Sequence, residues 1–361
     1  MYQFKTLLYS TITILFNLLF ISKSYALGIN DLKIKKLHDF EYAWGMDLID
    51  NENLLVSEKR GLLYIYNFSN GKIVGKETYN DVLSKRQGGL LDIIFVKDKE
   101  KNYVFSCYQN LNSDLIVARH ELKKFKFLNK KTIFSSKYQS RSGVHFGCRF
   151  INYKNNILFS IGDRGDRNNS QNPKNYPGSI IKIDYEGNHK ITKEGWLSGI
   201  FSMGHRNPQG LIINGETILS TEHGPFGGDE LNIVLQGRNY GWPSSAYGFT
   251  YGLENIYELD HDEKYEEPIY FFTPSIGISE LTIYKGSEFP RWNDFIFITS
   301  LKDMTIYTLK LDSEGTSIIH VGEIFIGERI RDITIAKDGR LVLAGDLGSL
   351  IVVNRTDKDI P

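Results

Sequence analysis

Beyond its first thirty residues the chain shows little helical periodicity. Short runs of β-branched, aromatic and aliphatic residues alternate with turns rich in Gly, Asn and Asp. They are Leu54-Leu55-Val56, Tyr103-Val104-Phe105, Ile157-Leu158-Phe159, Ile218-Leu219-Ser220, Phe295-Ile296-Phe297 and Leu341-Val342-Leu343. Runs of this length and composition read as strands. Each is preceded by a second such run, and the six pairs resemble one another: WGMDLIDNENLLVSE, GGLLDIIFVKDKEKNYVFSCY, FGCRFINYKNNILFSIG, PQGLIINGETILSTE, SELTIYKGSEFPRWNDFIFITSL and RDITIAKDGRLVLAGD. Anchored at Gly45, Gly89, Gly147, Gly210, Glu280 and Asp332, they recur every 44 to 70 residues. Most are followed by a third strand, as in GLLYIYNF, GSIIKIDY, MTIYTLKL and GSLIVVNR. A meander repeated six times predicts an all-β fold, a six-bladed β-propeller. Radial closure also removes the exposed edges that so many strands would otherwise present. A two-sheet sandwich has no need of six similar units.

Hairpin geometry then gathers residues that are far apart in sequence. The start of a hairpin's first strand and the end of its second lie at the same end. In a propeller the first strands line the central channel, so both positions ring one mouth. Before the first strands stand Trp44, Gln87, His145, Arg206 with Asn207, Ser279, and Arg329 with Arg331. After the second strands stand Asp163, His223-Gly224-Pro225, Lys302 and Asp346. Turn residues are commonly polar, which explains each position singly. It explains poorly three arginines, a lysine and two histidines at one mouth. Clustered cations predict an anionic ligand, and a histidine beside them is a candidate general base.

The N-terminus differs from the rest. Lys5, an apolar run from Leu7 to Ile21 and the small-x-small site Ser24-Tyr25-Ala26 predict a signal peptide over residues 1–26. Residues 27–361 are then one propeller domain, periplasmic or secreted, with no membrane span of its own. The leader removes Lys5 and Lys23, which leaves 41 basic against 43 acidic groups. That balance argues against a nucleic-acid partner. With 41% hydrophobic and 24% charged residues, the chain has the composition of a folded globular protein and not of a disordered one. Two cysteines, Cys107 and Cys148, would persist as a disulfide outside the cytoplasm; two buried thiols are the alternative. No C-x-x-C-H motif is present, so no covalent haem is expected.

The segments QGGLLD, HFGCRF, SIGDRGDR, GHRNPQG, TEHGPFGGDELNIV, GRNYGWP, TSLK and ERIRD resemble those of the soluble pyrroloquinoline-quinone (PQQ)-dependent sugar dehydrogenases. This is the glucose/sorbosone dehydrogenase family, and the likeness is greatest to its bacterial aldose sugar dehydrogenase branch. It runs from about Tyr42 to Asn354.

The resemblance implies a six-bladed propeller holding PQQ, a planar tricarboxylate, in its central cleft. Gln87, His145, Arg206, Asn207, Lys302, Arg329 and Arg331 match the cofactor contacts. His145 matches the general base, Asp163 the residue that orients it, and Arg206 the cation that stabilises charge on the quinone. Gly224 and Pro225 match backbone ligands of Ca²⁺, and Glu230 and Tyr240 resemble part of a second calcium site. The implied activity is oxidation of an aldose at its anomeric carbon to a lactone. Electrons would pass to an external acceptor, a quinone or a cytochrome.

Three departures from the family pattern bear on specificity. Cys148 stands where a small Gly or Ser is usual, Phe226 replaces a commonly basic residue, and SIGISEL replaces an SIAPSGM-like segment near the substrate. His223 reads as structural, and the acid-rich run Glu258 to Glu267 as a solvated loop. Two other classes fit the fold, a calcium-dependent lactone hydrolase and a non-catalytic carbohydrate- or protein-binding propeller. The first would want side-chain carboxylates around a metal, whereas this mouth is rich in Arg and Lys.

Overall fold

The computed structural model describes residues 32–99, 101–249 and 264–356. The expected leader, 1–26, and most of the acid-rich run 258–267 lie outside them. The described residues form six four-stranded antiparallel sheets. The first blade contains β2 (Ala43–Leu48), β3 (Asn53–Glu58), β4 (Leu62–Asn67) and β5 (Lys72–Thr78). The second contains β6 (Leu90–Asp98), β7 (Lys101–Gln109), β8 (Leu115–Lys123) and β9 (Lys126–Ser135). The third contains β10 (Phe150–Tyr153), β11 (Asn156–Ile161), β12 (Ser179–Asp184) and β13 (Ile200–Met203). The fourth contains β14 (Pro208–Asn214), β15 (Thr217–Glu222), β16 (Asp229–Val234) and β17 (Tyr270–Phe272). The fifth contains β18 (Ile278–Ile283), β19 (Ile296–Ser300), β20 (Thr305–Leu311) and β21 (Ile318–Phe325). The sixth contains β22 (Ile330–Ile335), β23 (Leu341–Gly345) and β24 (Ser349–Arg355), and is completed by β1 (Leu32–Asp39) from the other end of the chain. The expected six-bladed propeller is what forms, and each sequence hairpin is the inner pair of a blade.

Burial follows position within the blade. The second strands β3, β19 and β23 are buried along their whole length, because neighbouring blades cover both of their faces. The outermost strands β1, β5 and β21 keep one face in solvent and are mostly exposed or half-buried. There is accordingly no single core. Six apolar clusters sit one at each blade junction, from the Leu55, Ile65 and Val104 cluster between the first two blades to the Val56, Val342 and Val352 cluster that closes the ring.

At the axis the joint is polar. Arg149, fully buried, lies just before β10. Its guanidinium meets Asp92 of the second blade at 3.3 Å, Glu280 of the fifth at 2.9 Å and Asp332 of the sixth at 2.9 Å. It donates to the Gln209 carbonyl of the fourth blade at 2.7 Å and to the Arg331 carbonyl at 2.6 Å. It also stacks on Trp44 of the first, 4.2 Å from the ring centroid. One side chain thus touches all five other blades. Burial pushes the Asp92, Glu280 and Asp332 carboxyls up, because three carboxylates share one guanidinium out of water.

Five inner strands carry a register shift near the end where they begin, in β2, β6, β14, β18 and β22. Bulges of this kind re-aim side chains. In β10 the same place is held by Cys148, whose N–H donates to the Ser160 carbonyl and whose sulfur is bonded to Cys107 of β7. The two cysteines therefore form a disulfide, which ties the second blade to the third.

Arg149→Met is expected to cost about 3–5 kcal/mol in urea unfolding, since it strands three buried carboxylates; a loss under about 1 kcal/mol would show that the hub does not hold the ring. Cys107→Ala opens a loop between positions 41 apart and should cost roughly 2–4 kcal/mol in the same assay.

Candidate active site

The segment before β10 builds the reactive corner. His145, Gly147 and Cys148 all have left-handed backbone, with φ of 53°, 62° and 72°. Two of the three are not glycine, so the surroundings must hold the turn. They do so through four contacts. The His145 N–H donates to Gln87 Oε1 at 2.8 Å and the Gly147 N–H to Asn207 Oδ1 at 3.0 Å. The Arg164 N–H donates to the His145 carbonyl at 3.3 Å, and the disulfide fixes Cys148. Arg164 also stacks against Phe146, 3.3 Å from its ring centroid.

The imidazole so presented pairs with a buried carboxylate. His145 Nδ1 lies 2.7 Å from Asp163 Oδ1. Asp163 in turn accepts from the Gly165 N–H at 2.7 Å and the Trp242 indole N–H at 2.9 Å. Burial alone would raise the Asp163 carboxyl, but the His145 bond and the backbone donor hold it below its ordinary value. An ionised Asp163 keeps the proton of neutral His145 on Nδ1 and leaves Nε2 free to accept one. The arrangement is that of an oriented general base.

Beside it opens a cavity of about 420 Å³. Lys59, Arg86, Lys302, Arg329 and Arg331 line it, with Asp346 as the one carboxylate among the described residues. Asp346 spans both arginines of the ERIRD segment, at 3.1 Å from Arg329 Nε and 2.6 Å from Arg331 Nη2. Two residues apart on a regular strand, Arg329 and Arg331 would share one face. In the structure a register shift falls between Ile330 and Asp332, and Asp346 holds the pair together. Lys302 Nζ donates to the Ser275 carbonyl at 2.7 Å, which anchors the SIGISEL segment to the rim. Burial, with Arg331 beside it, holds the Lys59 ammonium below its ordinary value. Arg206 is buried, donates to the His223 carbonyl at 3.1 Å and leaves its Nε without a protein partner. An unpaired buried N–H of a cation favours an anionic acceptor.

Gly224, Pro225, Glu230 and Tyr240 border a smaller cleft next to Arg206, together with Glu222 and Trp242. A Cβ at Gly224 would run into the carbonyl oxygens of Gly227 and Gly228, so the loop crowds backbone oxygen atoms at this point. Burial, then the charge of Glu222, holds the Glu230 carboxyl well above its ordinary range. The Tyr240 hydroxyl is engaged, donating to the Ile233 carbonyl and accepting from the Leu235 N–H. Among the described residues, no group of three or more His, Cys, Asp or Glu side chains is arranged to hold a metal.

The sequence matches the family described as Glucose / Sorbosone dehydrogenase over residues 40–352. The chain belongs to that family. An uncharacterized protein of Synechocystis sp. is 32% identical over 343 residues, which cover 85% of this chain and 82% of the relative. The aldose sugar dehydrogenase of Escherichia coli is 27% identical over 339 residues, covering 88% of this chain and 91% of that one. The apo-form structure of the E. coli enzyme matches 90% of this chain and 99% of its own with a TM-score of 0.80 and 26% identity. The PQQ-bound aldose sugar dehydrogenase of Streptomyces coelicolor shares the fold, with a TM-score of 0.73 at 20% identity over 90% of this chain and 99% of that one. Membership makes the chain an oxidoreductase acting on sugars.

In this member of the family, Gln87, Asn207, Lys302, Arg329 and Arg331 line one cavity. His145 is bound to Gln87 at its edge, and Arg206 borders the adjoining cleft. Lys59 and Arg86 were not anticipated. Lys59 follows the second strand of its hairpin, the position that yielded Asp163, Lys302 and Asp346, so the same rule would have found it. Arg86 adjoins Gln87 in the loop before β6, so the rule that found Gln87 stopped one residue short of it. His223, read as structural, lines the cavity. Burial brings its imidazole down to about 4, so it is neutral at neutral pH and does not add to the cations.

A folded-state value below that of the free side chain makes His223 stabilising above about pH 6.5, and that contribution drains as pH falls through about 4. His223→Gln should flatten the acid limb of stability between pH 7 and 4 by on the order of 1–2 kcal/mol, read from urea unfolding at each pH.

Proposed function

We propose that the protein oxidises aldose sugars at the anomeric carbon, with PQQ as cofactor and calcium beside it. The observation that carries this reading is the His145–Asp163 pair at the edge of a cavity ringed by cations. The residues fit the cofactor. A volume of about 420 Å³ is within the range of organic cofactor sites, five lining cations suit a tricarboxylate, and Arg206 has a buried N–H in want of an anion. Gln87, Arg206, Asn207, Lys302, Arg329 and Arg331 would hold it, with His145 at the edge of the cavity. When bound, PQQ would supply the two-electron acceptor for the hydride that the anomeric carbon loses on becoming a lactone.

The protein's own part is acid–base and electrostatic. His145 Nε2 accepts the anomeric hydroxyl proton, and ionised Asp163 stabilises the imidazolium that results. Trp242 and Gly165 keep Asp163 oriented and ionised. Arg206, already fixed by its contacts to Glu222 and His223, offers positive charge where negative charge develops. The Gly224 and Pro225 carbonyls are oxygen ligands of the kind Ca²⁺ takes, and a cation would relieve the buried Glu230 beside Glu222. Glu230 and Tyr240 would belong to the second calcium position. Electrons then leave to an external acceptor, a quinone or a cytochrome, and the periplasm or cell exterior is the compartment we infer from the leader. Among the described residues no helix is long and apolar enough to cross a membrane.

Reconstitution tests this reading. Apoprotein from Leu27 onward is mixed with Ca²⁺ and PQQ, and the quinone absorbance is followed as aldoses are added. Bleaching is expected with an aldose. His145→Ala should bind PQQ but lower kcat by on the order of 10²–10⁴, the usual share of a general base. Asp163→Asn should fall in the same range. Failure to bind PQQ would sink the proposal in favour of a hydrolytic or purely binding propeller.

A further inference from the structure

The cavity carries more positive charge than a tricarboxylate and Asp346 together neutralise, and the surplus is not spread evenly. Lys59, Arg329 and Arg331 cluster around Asp346. The Arg86 carbonyl accepts from Lys59 Nζ at 2.6 Å, but its guanidinium turns the other way, to the side of the base. Its Nη1 donates to the Ser142 carbonyl at 2.7 Å, three residues before His145. Its chain neighbour Gln87 accepts the His145 N–H. Arg86 is exposed, lines the cavity and, among the described residues, has no carboxylate partner. Its backbone is left-handed, with φ 55°, a conformation that glycine adopts freely and arginine only at a cost. A long cation kept in such a position points to a use for the side chain.

We propose that the sugar accepted by this site carries an anionic group, a carboxylate or a phosphate, away from its anomeric carbon, and that Arg86 selects it. The inference rests on the sugar-dehydrogenase reading above and adds to it the class of sugar. Arg86 is tethered through one N–H and has four left, enough for a bidentate pair with either anion. An anion held there fixes the far end of the sugar while the anomeric hydroxyl meets His145 Nε2. The surplus cations around the mouth would also steer such a sugar inward, an effect that salt weakens.

The test uses PQQ-loaded protein with glucose, glucuronate and glucose 6-phosphate, each at low and at physiological salt. Expected is a kcat/KM for one acidic sugar about tenfold or more above glucose, carried by KM and eroded by salt, as for one charge-assisted pair. The better of the two acids tells carboxylate from phosphate. Arg86→Gln and Arg86→Gly should both bring the ratio to about one; the glycine variant relieves the left-handed backbone, so loss of folding does not explain its result. Calorimetry with methyl glucuronide, which cannot be oxidised at its blocked anomeric position, should show weaker binding to both variants if the anion is a carboxylate. Oxidation of glucose with no preference for either acid would overturn the inference and leave the dehydrogenase reading standing. Weaker PQQ binding by Arg86→Gly with an unchanged sugar ratio would also overturn it, placing Arg86 in the cofactor clamp. No binding of PQQ to the unmodified protein would remove the reading on which the inference rests, and the inference with it.

Discussion

The propeller is organised around one buried guanidinium. Arg149 meets Asp92, Glu280 and Asp332, two backbone carbonyls and the Trp44 ring, and so reaches every other blade. Apolar clusters at the junctions hold neighbouring blades together, but none of them spans the ring. Only the hub sees all six at once, and directional bonds to a planar group fix angles as well as distances. Ion networks out of water add little net stability; their strength lies in penalising any arrangement that leaves a charge unpaired. A ring assembled one blade out of register would leave such charges.

The same segment of chain serves the hub and the chemistry. Three residues separate His145 from Arg149, and the left-handed turn between them puts one side chain at the mouth and the other on the axis. Asn207 and Gln87 line the cavity, and they also accept the N–H groups that keep this turn in place. The disulfide adds a covalent restraint at its end. The base is therefore positioned by the scaffold itself, with little left to settle when a ligand arrives.

Much of this was legible in the sequence. The inner pair of every blade reads as a hairpin, because its strands are buried on both faces and leave long runs of Val, Ile, Leu and Phe. The fourth strands were harder to see. β5 (KIVGKET) and β21 (IIHVGEIF) lie against solvent on one side, and their composition approaches that of loops. β1 was not foreseen as part of the last blade, since nothing local marks a strand whose partner lies at the other end of the chain. The mouth residues followed from hairpin geometry, with Lys59 and Arg86 overlooked. Arg149 stood in plain view within HFGCRF, yet an arginine in a strand-like run carries no sign that five blades converge on it. The cysteine pairing stayed open until the structure placed the Cα atoms 6.2 Å apart.

The closure of the ring has a mechanical side. β1 and β24 run antiparallel, with Leu32 opposite Arg355 and Asp39 opposite Ser349. The outward ends of both strands therefore leave the sheet at the same edge. A pull on the two ends loads the Leu32–Arg355 pair first and then each following pair in turn, so the seam peels as a zipper does and never bears the load in parallel. It resists pulling far less than the same number of hydrogen bonds in shear. Once it has opened, β24 becomes a bare edge strand, able to pair with any extended segment that comes to it.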